Sequence, residues 1–260
     1  MRVLVTFAVE TEFAPWRARH AFLCREPQDS HRQAKCGLYT AAIDVAEVMV
    51  LLTGMGRESA VRAMKSVALD SCDVCISTGL AGALDAALRP GEIAAGRSAG
   101  VAGGERQMPS DGGLLDCAVS CGARPVDLFL TSETIAATGR EKQALGAFGN
   151  IVEMESFHVL EAASAAHVPA VTLRAISDTL AEDLPIDFHR VLDSRGHVRI
   201  GRMMAELARH PQHIPALIRF GRQSRSASES LADFLDRYVP AVAGGRHRVS
   251  KASVEEVSAT

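Results

Sequence analysis

The sequence has no surplus of basic charge. Lys and Arg number 28 against 31 Asp and Glu over 260 residues, a formal net charge of −3. That balance excludes a nucleic-acid role driven by bulk charge, because no cationic excess is there to displace phosphate counterions. No apolar run reaches the length of a membrane span. The first residues, MRVLVTFAVETEF, enter an apolar strand at once and meet acids at Glu10 and Glu12. A secretory leader needs a longer apolar stretch and a small-residue cleavage site, so none is expected there. No internal repeat is present. The phosphate-binding pattern GxGxxG is missing too, since Gly54-Met55-Gly56 matches only its first half. Low net charge with 47% apolar residues excludes disorder over most of the length. Together these absences predict a soluble cytoplasmic protein.

A chain of this length buries about 70% of its unfolded surface, enough for one substantial core. Short apolar runs alternate with helical stretches. MRVLVTFAV reads as a strand, and residues 12–20 as the start of a helix despite Pro15. Segment 38–53 reads as one or two strands ending at the turn Gly54-Met55-Gly56. ESAVRAMKSVALDS has helical spacing, and DVCISTGLAGAL reads as a buried strand running into a glycine turn. The glycine-rich span 94–116 reads as loop. VDLFLTS and PAVTLRAISD read as strands, EKQALGAF as a helical turn or two, and MESFHVLEAASAAH as an amphipathic helix. This alternation predicts an α/β fold with a twisted, mainly parallel central sheet between helical layers. From Gly201 onward, two or three helices broken at Pro211 and Pro215 are expected. The expected organisation is one domain over 1–200, a helical extension over 201–240 packed on it, and a disordered tail over 241–260.

Six cysteines fit a reducing compartment. Cys72 and Cys75 form CxxC, and Cys117 and Cys121 form CxxxC. A zinc reading is weaker than a packing one, because Cys75 lies inside the apolar run VCISTGLAG and a free thiol packs as a small hydrophobe. No metal and no organic cofactor is expected. Trp16, the sole tryptophan, reads as core.

Acids stand at or just after three predicted strand ends: Glu10 and Glu12, then Glu153 and Glu155, then Asp178. In open parallel sheets, ligands collect beyond the carboxyl ends of the strands. Carboxylates from three exits can supply a general base, a hydroxyl acceptor and a general acid around one pocket. They can equally cap helices, and spacing alone leaves both readings open.

Five motifs carry a resemblance: AVETEF at 8–13, TGMGRESA at 53–60, STGLAGALDAALRPGEI at 77–93, VEMES at 152–156 and RAISDT at 174–179. Over about residues 1–200 the chain resembles the nucleoside phosphorylase and nucleosidase superfamily. Within it, the chain looks most like the 5′-methylthioadenosine/S-adenosylhomocysteine nucleosidases and the hopanoid-associated phosphorylases. The resemblance implies the nucleoside phosphorylase-like three-layer fold, a homodimer and a small-molecule nucleoside substrate. It implies that Glu12 activates water, Asp178 protonates the leaving purine with help from Ser177, Glu155 accepts the ribose hydroxyls and Met154 packs on the sugar. Gly79 and its neighbouring glycines, which first mean tight turns, would wall the purine or a small anion. Ile135 stands nearest the position of an aromatic residue that stacks on adenine in the nucleosidases. Glu153 is given no role, and Arg174 is read as the partner of a buried acid. The bond chemistry agrees with these roles: cleavage leaves positive charge on ribose and negative charge on the purine, so one acid is expected neutral and one ionised.

Water or phosphate as the attacking group stays open at this point, with water favoured. Superfamily phosphorylases place an arginine and a serine where this chain has Ser77 and Leu80, and their N-terminal arginine loop is not evident. The serine of the nucleosidases' TGSAG motif is Leu80 here. Arg57 and Arg89 remain as other phosphate contacts. The stretch HPQHIPALIRFGRQSRSASESL resembles the tail of the hopanoid-associated enzymes, which act on a lipid-linked adenosine, and within it HIPALIRFGR is basic and amphipathic. Its apolar face is expected against the core or a second subunit; contact with a membrane surface or an apolar 5′ group is the second reading. A non-catalytic nucleoside-binding protein is the alternative from another class.

Overall fold

The computed structural model describes residues 1–25, 37–185 and 214–245. In chain order the elements are β1 (Arg2–Phe7), α1 (Glu10–Arg17), β2 (Leu23–Arg25), β3 (Leu38–Ile43), β4 (Ala46–Leu52), α2 (Arg57–Met64), β5 (Val74–Ser77) and β6 (Leu80–Ala83). Then follow β7 (Ile93–Val101), β8 (Gln107–Pro109), α3 (Gly112–Ser120), β9 (Arg124–Thr131), α4 (Gly139–Leu145), β10 (Ile151–Glu153), α5 (Ser156–Ala165), β11 (Ala170–Asp178) and α6 (Ile214–Ala243).

One mixed sheet runs β2-β3-β4-β1-β5-β11-β6-β10-β9-β7-β8. Its inner strands β4, β1, β5 and β11 are parallel, as the buried β-branched runs predict, and β3 and β2 add an antiparallel meander at one edge. Strand β11 pairs twice on its far side, with β6 in parallel and with β7 antiparallel. The sheet therefore curls back, and β11, β6, β10, β9 and β7 enclose a small barrel.

Alternation along the strands feeds two apolar layers. Val3, Val5, Val74, Ile76, Val171 and Leu173 pack on one face beneath α1, α3 and α6. Leu4 and Cys75 pack on the other with Met64 of α2 and Leu160 of α5. Cys75 is fully buried, and burial pushes its thiol well above the ordinary range. Trp16 lies in the first layer among Phe7, Phe13 and Phe22, and its Nε1 donates to Asp236 of α6 at 2.8 Å.

Two expectations fail. Residues 94–116 are not loop: they hold most of β7, all of β8 and the start of α3. The run IAAGRSAGV hides its strand character because its residues are small. They must be, since a Cβ on Gly96 would stand 2.7 Å from Phe129 and 2.8 Å from Thr172. The C-terminal part of the chain is also not broken at Pro215. That residue sits in the first turn of the 30-residue α6, where a missing N–H costs nothing. Pro211 and the last 15 residues, 246–260, lie outside the described residues. The second half of α6 is core: Leu231, Phe234, Leu235, Tyr238, Val239 and Val242 are all fully buried, and Tyr238 Oη donates to the Leu114 carbonyl at 2.9 Å.

Candidate active site

Strand β1 ends at Phe7, and the chain turns through Ala8 and Val9 into α1, whose third residue is Glu12. The Glu12 carboxylate collects three backbone N–H groups. Oε2 accepts from Ala8 at 3.0 Å and Val9 at 3.3 Å, and Oε1 accepts from Leu80 at 3.0 Å. The side chain keeps some contact with solvent where it lines a cavity, but protein surrounds its carboxylate closely. Burial holds its pKa above the ordinary value, against the pull of the Leu80 N–H and the Arg174 charge. Gly79 stands directly behind it. A Cβ there would lie 3.0 Å from Oε2, and the residue's φ of +143° is one that side-chain-bearing residues rarely adopt.

Strand β10 ends in Glu153, and Met154-Glu155 lead into α5. Glu153 is buried and does not face solvent as an unassigned surface residue would. Its Oε2 accepts the N–H of Glu155 at 3.0 Å, the N–H of Ser156 at 2.8 Å and Arg174 at 2.6 Å, while Oε1 accepts the Thr131 hydroxyl at 2.5 Å. It thus satisfies the first free amides of α5 and anchors the guanidinium. Arg174, only 1% exposed, also donates to Ser77 Oγ at 3.3 Å and to the Leu173 carbonyl at 2.9 Å. Glu155 has thinner support. It accepts the Gly56 N–H at 2.7 Å, and Arg174 stands 4.0 Å away. Burial and the neighbouring Glu153 charge push its pKa up to about 8, with Arg174 and the Gly56 amide opposing.

Strand β11 ends at Asp178. Its register against β6 shifts between Ile176 and Asp178, so Ser177 is the extra residue of an irregularity of the kind that re-aims side chains. Ser177 Oγ lies 2.5 Å from Asp178 Oδ1 and 3.1 Å from the Ala81 carbonyl. The other carboxylate oxygen pairs with the Lys142 ammonium of α4. A Cβ on Gly82 would stand 3.0 Å from that oxygen. The sequence reading expects this acid to be held neutral by desolvation or by its hydrogen bonds; in the fold its carboxyl meets the Ser177 hydroxyl and a buried cation.

These residues surround one cavity of about 330 Å³, within the usual range of small-molecule sites of about 300–1,000 Å³. Of the residues singled out in the sequence, Glu12, Met154, Glu155, Ser177, Asp178 and Ile135 all line it. Gly79 is not among its lining residues; it shapes the site by making room for Glu12. Phe220 and Ser224 of α6 and Leu184 also line the cavity, and of these Ser224 and Leu184 are not singled out in the sequence. Sequence reasoning missed Lys142 because a lysine on a short helix ordinarily marks the solvated face. Phe220 belongs to the stretch HIPALIRFGR, for which contact with an apolar 5′ group is the second reading. Among the described residues, no three His, Cys, Asp or Glu side chains gather as a metal site.

The family model of the phosphorylase superfamily matches residues 2–209. Among solved structures, the fold is similar to the 5′-methylthioadenosine/S-adenosyl homocysteine nucleosidase of Campylobacter jejuni. That likeness has a TM-score of 0.69 and 16% identity, covering 92% of this chain and 98% of that one. The S. pneumoniae nucleosidase of the same name, with a transition-state inhibitor, matches with a TM-score of 0.70 and 16% identity over 93% of this chain and 100% of that one. The futalosine hydrolase of Helicobacter pylori matches with a TM-score of 0.69 and 14% identity over 92% and 97%. At these identities the likeness speaks for the fold.

Proposed function

The chain belongs to the phosphorylase superfamily, and from that premise we propose that it is a purine nucleosidase. In this reading it hydrolyses the N-glycosidic bond of a 5′-substituted adenosine and releases adenine. The observation that carries the reading is the triple amide contact of Glu12. The N–H groups of Ala8, Val9 and Leu80 converge on one anion, and that anion is the protein's own carboxylate. An attacking phosphate would need such donors for itself. A carboxylate held there with its pKa raised by burial is a stronger base toward water than an ordinary carboxylate.

The remaining roles follow the charge that develops. As the C1′–N9 bond lengthens, ribose becomes cationic and the purine anionic. Glu155 is disposed to accept the ribose hydroxyls, and Met154 packs beside it in the cavity wall. Asp178, steadied by Ser177, faces the leaving base and delivers its proton, while Ile135 packs against the base. Phosphate is not required, and no metal or organic cofactor enters the mechanism. A homodimer is the assembly expected with this reading.

A second reading has its own support. Phe220 and Ser224 bring α6 to the cavity, and Leu184 adds apolar surface beside them. An adenosine carrying a large apolar 5′ group, as in a lipid-linked adenosine, suits that wall. Adenine release decides between the readings. Methylthioadenosine, S-adenosylhomocysteine, adenosine and an adenosyl lipid mimic are each assayed with and without phosphate. Phosphate-independent release supports the hydrolase, and the substrate ranking identifies the 5′ group. Strictly phosphate-dependent release makes the enzyme a phosphorylase. No release from any of them returns the protein to a binding role.

A further inference from the structure

Lys142 is a buried cation for which the reading above has no use. Its side chain is 1% exposed. The ammonium pairs with Asp178 and donates to the Thr179 carbonyl at 3.1 Å and the Glu182 carbonyl at 2.7 Å, so all three of its N–H groups are engaged. Helix α4 is pressed onto the segment after β11 to put it there. The Gly139 N–H donates to Asp183 at 2.7 Å, and a Cβ on Gly139 would stand 3.1 Å from the Ala181 carbonyl. The charged groups around the pair are Glu182 and Asp183 of that segment and Arg219 of α6. The Glu182 carboxylate is occupied by the Thr179 N–H and by Gln223. None of them displaces Lys142 from Asp178.

Proton counting gives this pair a meaning. An ammonium beside a carboxylate holds as many protons as an amine beside a carboxylic acid. A lone carboxylic acid has lost its proton by neutral pH, whereas an amine keeps its own far above that. We propose that Lys142 is the positioning residue that holds the proton Asp178 delivers to the leaving purine. The inference rests on the nucleosidase reading and deepens it. As the C1′–N9 bond breaks, its electron pair goes to the purine. Lys142 Nζ gives a proton to the Asp178 carboxylate, and the carboxyl so formed gives it to the purine. The carboxylate is thereby restored and a neutral amine is left, which regains its proton from solvent after the base departs. The proton that water gives to Glu12 returns to solvent, so the cycle balances.

The test compares two leaving groups over a range of pH. One substrate is a purine nucleoside that the unaltered protein cleaves. The other is 4-nitrophenyl β-D-ribofuranoside, whose leaving group departs as an anion without needing a proton. Lys142→Met is expected to lower kcat on the purine nucleoside by about 100-fold or more, the usual scale of general-acid catalysis, with KM little changed. Its cleavage of the nitrophenyl riboside should stay within about three-fold, which also shows that the variant is folded. Lys142→Arg restores the charge but not a proton that can leave, so it should not rescue the purine reaction. Equal loss on both substrates in soluble, folded Lys142→Met, or rescue by Lys142→Arg, overturns the inference. If the variants do not fold, the unaltered protein still decides. With carbon-13 aspartate carboxyls, assigned by comparison with Asp178→Asn, Asp178 must be ionised in the resting enzyme. A neutral Asp178 in an active protein overturns this inference alone. Cleavage of neither substrate by the unaltered protein overturns the nucleosidase reading and the inference with it.

Discussion

Gly79 leaves empty the place that the Glu12 carboxylate fills. A Cβ on Gly79 would come within 3.0 Å of Glu12 Oε2 and 3.2 Å of Oε1. The next glycine of the same motif does likewise for the other acid, since a Cβ on Gly82 would meet Asp178 Oδ2 at 3.0 Å. Strand β6 thus runs between two carboxylates and makes room for both. It also serves them with backbone groups, the Leu80 N–H for Glu12 and the Ala81 carbonyl for Ser177.

Gly79→Ala should therefore damage activity more than stability. The added methyl pushes on the carboxylate, and the backbone conformation costs about 1–3 kcal/mol for a residue with a side chain. Thermal unfolding is expected at a modestly lower temperature, with kcat down about ten-fold or more as Glu12 leaves its three amides. A variant with unchanged kcat would show that the placement of Glu12 is not critical.

Glu12→Gln removes the proposed base while keeping its size. The expected loss in kcat is about 10²–10⁴-fold, with substrate affinity nearly kept. In the unaltered protein, activity should rise with pH along an acidic limb lying above the ordinary carboxylate range, because the base works only when ionised and burial raises its pKa. Steady-state kinetics from pH 4 upward would reveal an ordinary limb if the assignment is wrong.

Glu155 predicts how stability responds to pH. Its pKa is about 8 in the folded chain, against an ordinary value of 4.5. Between those values the folded protein keeps a proton that the unfolded chain releases. The contribution of Glu155 to stability is therefore greatest at low pH and is lost progressively as pH rises toward 8. Urea unfolding of the protein and of Glu155→Gln from pH 5 to 9 should show the two stabilities diverging in favour of the variant as pH rises. Parallel curves would remove Glu155 as the cause.

The Glu153–Arg174 pair makes a structural prediction. Both side chains are almost wholly buried, at 1% and 2% exposed. Arg174→Met leaves the carboxylate without its ionic partner and should cost about 3–5 kcal/mol. Adding Glu153→Gln should recover part of that loss, since the two effects are coupled. Additive losses in denaturant unfolding would mean that the pair does not act as a unit.

The failures of sequence reading have a common form. A strand made of small residues, as in β7, lacks the β-branched alternation that marks a strand. Its residue choice is set by the crowding of Phe129 and Thr172 around Gly96, which only the closed barrel creates. Lys142 is not singled out in the sequence because nothing local marks the face of α4 that turns inward. Glu153 is given no role in the sequence reading, yet it is held by Arg174 and the amides of α5, whereas Glu155, two residues on, has a single amide.

What the sequence determined by itself was the inner sheet and the acids at its strand ends. Apolar periodicity and turn residues are local signals, and they sufficed to place Glu12, Glu155 and Asp178 just beyond buried strands. The tertiary structure alone decided which groups meet those acids. Leu80 reaches Glu12 across 68 residues, Gly56 reaches Glu155 across 99, and Lys142 reaches Asp178 across 36. Such contacts depend on sheet register and barrel closure, which arise from the packing of the whole chain. The chemistry of a carboxyl is set by its partners and its burial, so the residues were legible before their protonation was.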